Sequence, residues 1–273
     1  MPRYEPETDL SFMNKDITLT LIANAGILIE YDGTGILVDG IHHDATSRFS
    51  PVSRVDLLHM RLGKQAFKTL DYLFFSHEHS DHFSPLYVTE LIHAREIQKV
   101  FLPKAASLSP ELALLYNHLR KKSVESEILS LQPGEFEPFQ LGPNITGRII
   151  ATRHMGPQYQ SVINYCYLFD LSGFTLLFTG DGDFVREYYE TALSGIELDL
   201  VFVNPLFYQH PQGQKLINTL FTPKHLVVYH LPFPEDDTMG LGSMVERSKQ
   251  RFQCTERHTH IFQAEKQSLV LHP

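Results

Sequence analysis

The chain has 273 residues, 42% of them hydrophobic, which is enough to fill a sizeable core. Its 32 acidic residues outnumber 23 basic ones and leave a net charge of −9, which opposes a general role on nucleic acid or an anionic membrane, since both attract basic surfaces. Two cysteines, Cys166 and Cys254, lie far apart and outside any CxxC spacing, so they exclude a disulfide framework and are expected as buried thiols in a reducing compartment.

In chain order, the opening MPRYEPETDLSFMNKD carries neither the basic start nor the apolar run of a targeting segment. No later stretch reaches the roughly 18 apolar residues of a membrane span, so a cytoplasmic location is the default expectation. Alternating or continuous apolar runs predict strands over 17–21, 26–31, 35–38, 72–75, 100–102, 147–152, 162–170, 174–178, 198–203, 226–229 and 268–271. Helical patterns cover 86–95, 110–121, 184–193 and 243–251. Strands follow one another before a helix appears, and the second half repeats the habit. That order predicts an α+β arrangement of two packed sheets with helices outside. No linker or charge block interrupts it, so a single domain over 1–273 is expected.

The stretch LFFSHEHSDHFSP, residues 73–85, places three histidines and an aspartate just after an apolar run. If the strand continues briefly, His77, His79 and Asp81 share a face. Ser84 and Pro85 then read as a helix N-cap and first helical residue, and the turn brings His82 back beside the others. The spacing suits His77 and His79 on one metal ion and Asp81 and His82 on a second. Imidazole and carboxylate are ligands of hydrolytic zinc or iron sites, unlike the all-oxygen cages of calcium.

Further ligand types recur in the same setting. GRIIATRH ends in His154, FTLLFTGD in Asp181, HLVVYH in His230 and GILVD in Asp39, each polar residue just beyond an apolar strand. Strand ends can converge on one rim of a rigid scaffold. A complete centre would put His77, His79 and His154 on one ion and Asp81, His82 and His230 on the other. Asp181 would bridge them, because two cations about 3.5–4 Å apart need a shared anion. Asp39 is expected to hydrogen-bond a ligand or the loop backbone, Asp183 to cap a helix starting at Phe184, and His225 to fall at the opposite end of its strand.

The order Asp39, HxHxDH from His77 to His82, His154, Asp181 and His230 resembles the five signature motifs of the metallo-β-lactamase superfamily. The resemblance runs from ITLTLIANAGILIEYDGTGILVDG to PKHLVVYHLPF, almost the whole chain. It implies an αββα sandwich of two mixed β-sheets with a dinuclear metal site at one edge. The N-terminal passage and compact length look most like the stand-alone metal-dependent hydrolases, including the ascorbate-6-phosphate lactonase-like branch. Glu78 occupies a variable position, so the pattern differs from the HxExDH of the diiron flavoprotein branch, and no room remains for that branch's flavodoxin domain.

The expected activity is therefore a metal-dependent hydrolase. Two divalent ions, zinc foremost with manganese or iron as alternatives, would activate water against a small ester, lactone or phosphodiester. Asp81 or Asp181 would orient that water or carry its proton; no GxSxG nucleophile motif is present. Three loops, IHHDATSRFSPVSR, MGPQYQS and NPLFYQHPQGQK, should overhang the site. They offer His42, His43, Tyr159, Asn204, Tyr208 and His210 as substrate contacts, and Arg48, Arg54 and Arg153 as phosphate binders. The partner expected is a small molecule, without nucleic acid or membrane, and the oligomeric state is open. The alternatives are a non-catalytic metal-binding or regulatory module of the same fold and a diiron redox protein.

Overall fold

The computed structural model describes residues 15–44, 46–104, 108–252 and 254–273. Residues 1–14, most of the segment read as lacking a targeting signal, lie outside that range. The first half runs β1 (Ile17–Leu21), β2 (Ile27–Tyr31), β3 (Thr34–Val38), α1 (Arg54–Leu62), β4 (Leu70–Phe74), α2 (Pro85–Ala94), β5 (Lys99–Pro103), α3 (Pro110–Lys122) and β6 (Glu125–Leu129). The second runs β7 (Phe136–Gln140), β8 (Ile145–Arg153), β9 (Ile163–Leu171), β10 (Phe174–Phe178), β11 (Leu200–Val203), α4 (Pro205–Gln209), α5 (Pro211–Leu216), β12 (His225–Val228), α6 (Leu241–Arg251) and β13 (His258–Ile261). The last strand, β14 (Ser268–Leu271), returns to the first sheet beside β1.

The strands form two seven-stranded sheets, ordered β14-β1-β2-β3-β4-β5-β6 and β13-β12-β11-β10-β9-β8-β7. In each, three antiparallel pairings give way to three parallel ones. Side-chain alternation splits the apolar residues into layers. Ile17, Leu19, Ile29, Phe74, Tyr167, Phe178 and Phe202 meet between the sheets. Leu28, Leu37, Leu73 and Val100 face outward beneath α1, α2 and α3, where Leu57, Met60, Val88, Leu91 and Leu115 cover them. On the other side Leu177, Val201, Leu226 and Val228 lie beneath Phe207, Leu216 and Val245 of α4, α5 and α6. This is the expected αββα sandwich of two mixed sheets. Among the described residues no helix is long and apolar enough to cross a membrane.

Several local expectations are corrected. No α-helix covers 184–193; only a 3₁₀ turn forms at Arg186–Tyr188. The buried Tyr189 donates its hydroxyl to the Asp183 carbonyl (2.8 Å), closing the segment into a compact turn. Asp183 accordingly caps no helix, and its Oδ1 accepts only from the next amide, Phe184 N. The segment NPLFYQHPQGQK is not an open loop but α4 and α5, capped by Asn204 and His210. Of the thiols, Cys166 is buried as expected, and burial pushes its pKa up to about 12; Cys254 is exposed instead.

Candidate metal centre

The C-terminal ends of β3, β4, β8, β10, β11 and β12 deliver Asp39, the 76–84 loop, His154, Asp181, Asn204 and His230 to one edge of the sandwich. Strand β4 stops at Phe74, so a loop rather than extended strand presents the histidine motif. That loop is held from both sheets. Tyr165 N donates to Ser76 O (2.8 Å) and the Tyr167 hydroxyl donates to Phe75 O (2.6 Å), while Ser76 N donates to Asp39 Oδ1 (2.7 Å). The chain then turns, with His82 N and Phe83 N both donating to His79 O at 3.0 Å. This turn, rather than strand alternation, gathers His77, His79, Asp81 and His82.

Three sets of side chains each bring ligand-type atoms within 4.8 Å of one another: His77, His79 and His154; His77, His82 and Asp181; Asp81, His82 and His230. Asp181 stands at the middle. Its Oδ2 lies 3.9 Å from His77 Nε2, 3.6 Å from His82 Nε2, 3.3 Å from His154 Nε2 and 3.6 Å from His230 Nε2. On the flanks, His77 Nε2 is 3.0 Å from His79 Nδ1, and His82 Nε2 is 2.8 Å from His230 Nε2. Asp81 Oδ2 lies 3.6 Å from His230 Nε2 and 3.9 Å from His82 Nε2.

The ring nitrogens turned away from the cluster are anchored, which fixes each ring's orientation. His77 Nδ1 meets Ser76 Oγ (2.9 Å), His82 Nδ1 meets Asp39 Oδ2 (3.1 Å) and His154 Nδ1 donates to Met155 O (2.6 Å). Phe49 packs edge-on against the His230 ring at 4.6 Å. Asp181 is anchored too: Asn204 Nδ2 donates to its Oδ1 (2.9 Å) and its amide donates to Asn164 Oδ1 (2.9 Å). Gly180 precedes it at φ 53°, where an added Cβ would fall 2.6 Å from Asn164 Oδ1, so only glycine makes this turn without displacing Asn164. Asp39 and His230 also sit at positive φ, 51° and 58°.

The donor set fits divalent cations. Burial, then the neighbouring His82, holds His77 well below the usual imidazole range, and burial and His154 lower His79. Burial works against charge on Asp181, but His230, His154 and His82 overcome it and keep the carboxylate ionised. Burial is likewise outweighed on His82, where Asp39 and Asp81 raise the pKa well above normal. A cation bound here would take over the role of that proton. The His154 Nε2 atom is buried and makes no hydrogen bond; with Nδ1 donating to Met155 O, it faces the cluster with a free lone pair.

The candidate substrate contacts separate into three groups. Tyr159, 39% exposed, rests over the cluster with ring centroids 4.9 Å from His79 and 4.7 Å from His154. His43 donates through Nδ1 to Val52 O (2.7 Å) and lines a groove of about 530 Å³ with Asp44, Glu78, Ser80, Ser84 and Glu111, beside the motif loop. His42 is buried, its Nε2 unpartnered, and burial followed by His82 drives its pKa down to about 3. The other three are corrected. Asn204 is buried, with its amide on Asp181 and its Oδ1 accepting from Phe207 N, so it positions the carboxylate rather than a substrate. Tyr208 is fully buried in the outer layer against Phe252. His210 caps α5 and stacks on Phe184 at 3.9 Å. Among the arginines, Arg153 is tied to Gln160 O (2.8 Å), and Arg48 is exposed.

Ser76 and Asn164 escaped sequence reading. Asn164, a polar residue inside the apolar run VINYCYLFD, carried a visible signal; Ser76 carried none beyond standing next to the motif.

The architecture and the clustered histidines and aspartates define the metallo-β-lactamase fold. No family model and no curated protein matches the chain in sequence. Solved structures do match in fold. Igni18, a metallo hydrolase from the archaeon Ignicoccus hospitalis, is 16% identical at a TM-score of 0.55, covering 94% of this chain and 98% of its own. Yeast PDE1 is 14% identical at 0.59, with 95% and 100% covered. CmlA, a diiron β-hydroxylase from Streptomyces venezuelae, is 15% identical at 0.57 over 93% of this chain but only 54% of its own.

Replacing Asp39 with alanine should lower metal affinity about 10–100-fold, because it removes the partner of His82 Nδ1 and of Ser76 N together. Competition against a chromophoric chelator measures it, and an unchanged affinity would contradict the anchoring role.

Proposed function

We propose that this chain is a metal-dependent hydrolase that holds two divalent cations and cleaves a small ester or lactone. The observation that carries the proposal is the placement of Asp181 Oδ2 within 3.9 Å of four imidazole Nε2 atoms. His77, His79 and His154 would hold one ion and Asp81, His82 and His230 the other, with Asp181 between them. Cations bound there would supply Lewis acidity toward the scissile group and acidify water, which removes the need for a serine or cysteine nucleophile.

The chain's own groups divide the remaining work. Asn204 fixes Asp181 through Oδ1 and leaves Oδ2 for the centre. Asp81 is the carboxylate suited to accept and pass on a proton, while both oxygens of Asp181 are committed, Oδ1 to Asn204 and Oδ2 among the four imidazoles. Tyr159 offers an aromatic face at the mouth. Among the described residues Asp44, Glu78 and Glu111 line the adjoining groove, and neither lysine nor arginine does. That charge pattern repels a phosphodiester and favours a neutral acyl substrate; it also favours a small molecule over a nucleic acid. Zinc is the first choice for this nitrogen-rich set, with manganese or iron as competitors.

The test is metal analysis of protein purified without added metal, combined with kcat/KM for a nitrophenyl ester, a lactone and bis(nitrophenyl) phosphate before and after stripping. About two equivalents of metal and chelator-sensitive ester or lactone turnover are expected. Faster cleavage of the phosphodiester would reject the acyl assignment alone. A fully metallated protein that hydrolyses none of the three would favour a non-catalytic or redox role.

A further inference from the structure

Of the four imidazoles around Asp181, those of His77, His82 and His154 are each anchored by a hydrogen bond at Nδ1. Among the described residues no such bond holds His230, whose Nε2 joins the cluster from a backbone at φ 58°. What stands against its ring is Phe49, at 4.6 Å with 89° between the ring planes. Phe49 is half-buried and packs into none of the three apolar layers. A large aromatic side chain outside every core, set edge-on to a metal-seeking histidine, finds its use in that contact.

The next residue secures it. Ser50 is 1% exposed, and its hydroxyl makes two bonds to the turn that follows His230. It donates to Asp236 Oδ2 and accepts from Phe233 N, both at 2.7 Å. Asp236 N closes that turn on Phe233 O at 2.9 Å, and the Ser50 carbonyl accepts from Asn24 N (3.2 Å) in the loop between β1 and β2. One serine thus clasps three loops. Because Phe49 precedes it directly and Phe233 follows His230 by three residues, the clasp sets where the Phe49 ring lies against the imidazole.

We infer that Ser50 is a positioning residue for the cation held by Asp81, His82 and His230, acting through Phe49 on the His230 ring. The inference rests on the two-cation reading and adds an inequality between the two ions. At the ion held by His77, His79 and His154, two of the three rings are oriented by hydrogen bonds. At the other, one ligand is oriented by packing alone, so affinity there depends on a loop clasp outside the cluster.

A staple that only stabilised the loops would weaken both ions alike or neither, whereas a positioning residue weakens one. The experiment titrates zinc, buffered by a competing chelator, into the metal-stripped, ¹⁵N-labelled full chain. The imidazole nitrogens of His154 report one ion and those of His82 the other. In Ser50→Ala the His82 transition should need about tenfold more free zinc, the low end of the cost of losing a partner behind a ligand, with the His154 transition unmoved. Asp236 is exposed and loses its partner at little cost, but the Phe233 amide is left without its acceptor and the variant could misfold. Phe49→Leu is therefore the second variant. It should reproduce the shift, and Phe49→Tyr, which keeps the aromatic edge, should bind as wild type does. A wild type that binds a single ion would reject the two-cation reading and this inference with it. Two ions in wild type, with neither transition or both displaced in Ser50→Ala and Phe49→Leu, would overturn the positioning role alone.

Discussion

Asp181→Asn is expected to lower kcat/KM by more than about 100-fold, beyond the roughly 10–100-fold cost of removing a partner behind a ligand. The substitution keeps shape but not chemistry. An asparagine oxygen can still accept from Asn204, whose amide now meets Asp181 Oδ1 at 2.9 Å. The new NH₂ then stands where Oδ2 faces four imidazoles, as a donor without charge. Two cations held side by side lose the anion that offsets their repulsion, so metal content should fall together with turnover. Far-ultraviolet circular dichroism checks that the fold survives. A variant with undiminished metal and activity within tenfold of wild type would remove Asp181 from the centre.

Stripping the metal should abolish hydrolysis and lower the melting temperature, and readdition should restore both. A ligand present at 100 times its Kd stabilises the folded state by about 2.7 kcal/mol per site. For a chain of this size each kcal/mol is worth about 2–4 °C, so one vacated site corresponds to a drop of roughly 5–10 °C. The physical source is visible in the cluster. Buried His77 and His82 and the carboxylate of Asp181 are crowded together, and only a positive charge among them relieves the cost of their desolvation. Differential scanning calorimetry with and without chelator reads the effect, and an unchanged transition would mean that the cluster holds no metal in the folded protein.

Most of the sandwich was legible because its inner strands read as apolar runs. The segments 17–21 and 174–178 were found to the residue as β1 and β10, and so was the edge strand β14 at 268–271, whose SLVL is still largely apolar. The strands missed, β6, β7 and β13, lie at sheet edges. Sequences such as ESEIL and FEPFQ meet water on much of their surface, so they show no apolar run; FEPFQ even contains a proline, which an edge strand tolerates. Helix α1 was not predicted, although Ser53 caps it by accepting from Asp56 N and Gly63 ends it at φ 59°. The seven metal-seeking residues were legible for another reason. Each stands just past an apolar strand or in the one dense motif, and the structure brings all seven to one edge. Substrate contacts were less legible, because reading NPLFYQHPQGQK as loop hid the caps and the burial that occupy Asn204 and Tyr208.

Two of the residues at this edge are held in backbone conformations that side-chain-bearing residues avoid, Asp39 at φ 51° and His230 at φ 58°. Each costs on the order of 1 kcal/mol or more relative to glycine. Glycine at either position would relax the backbone and leave a sturdier sandwich, but it would remove the carboxylate behind His82 or one imidazole beside Asp181, so the strain and the site's chemistry are held by the same two residues.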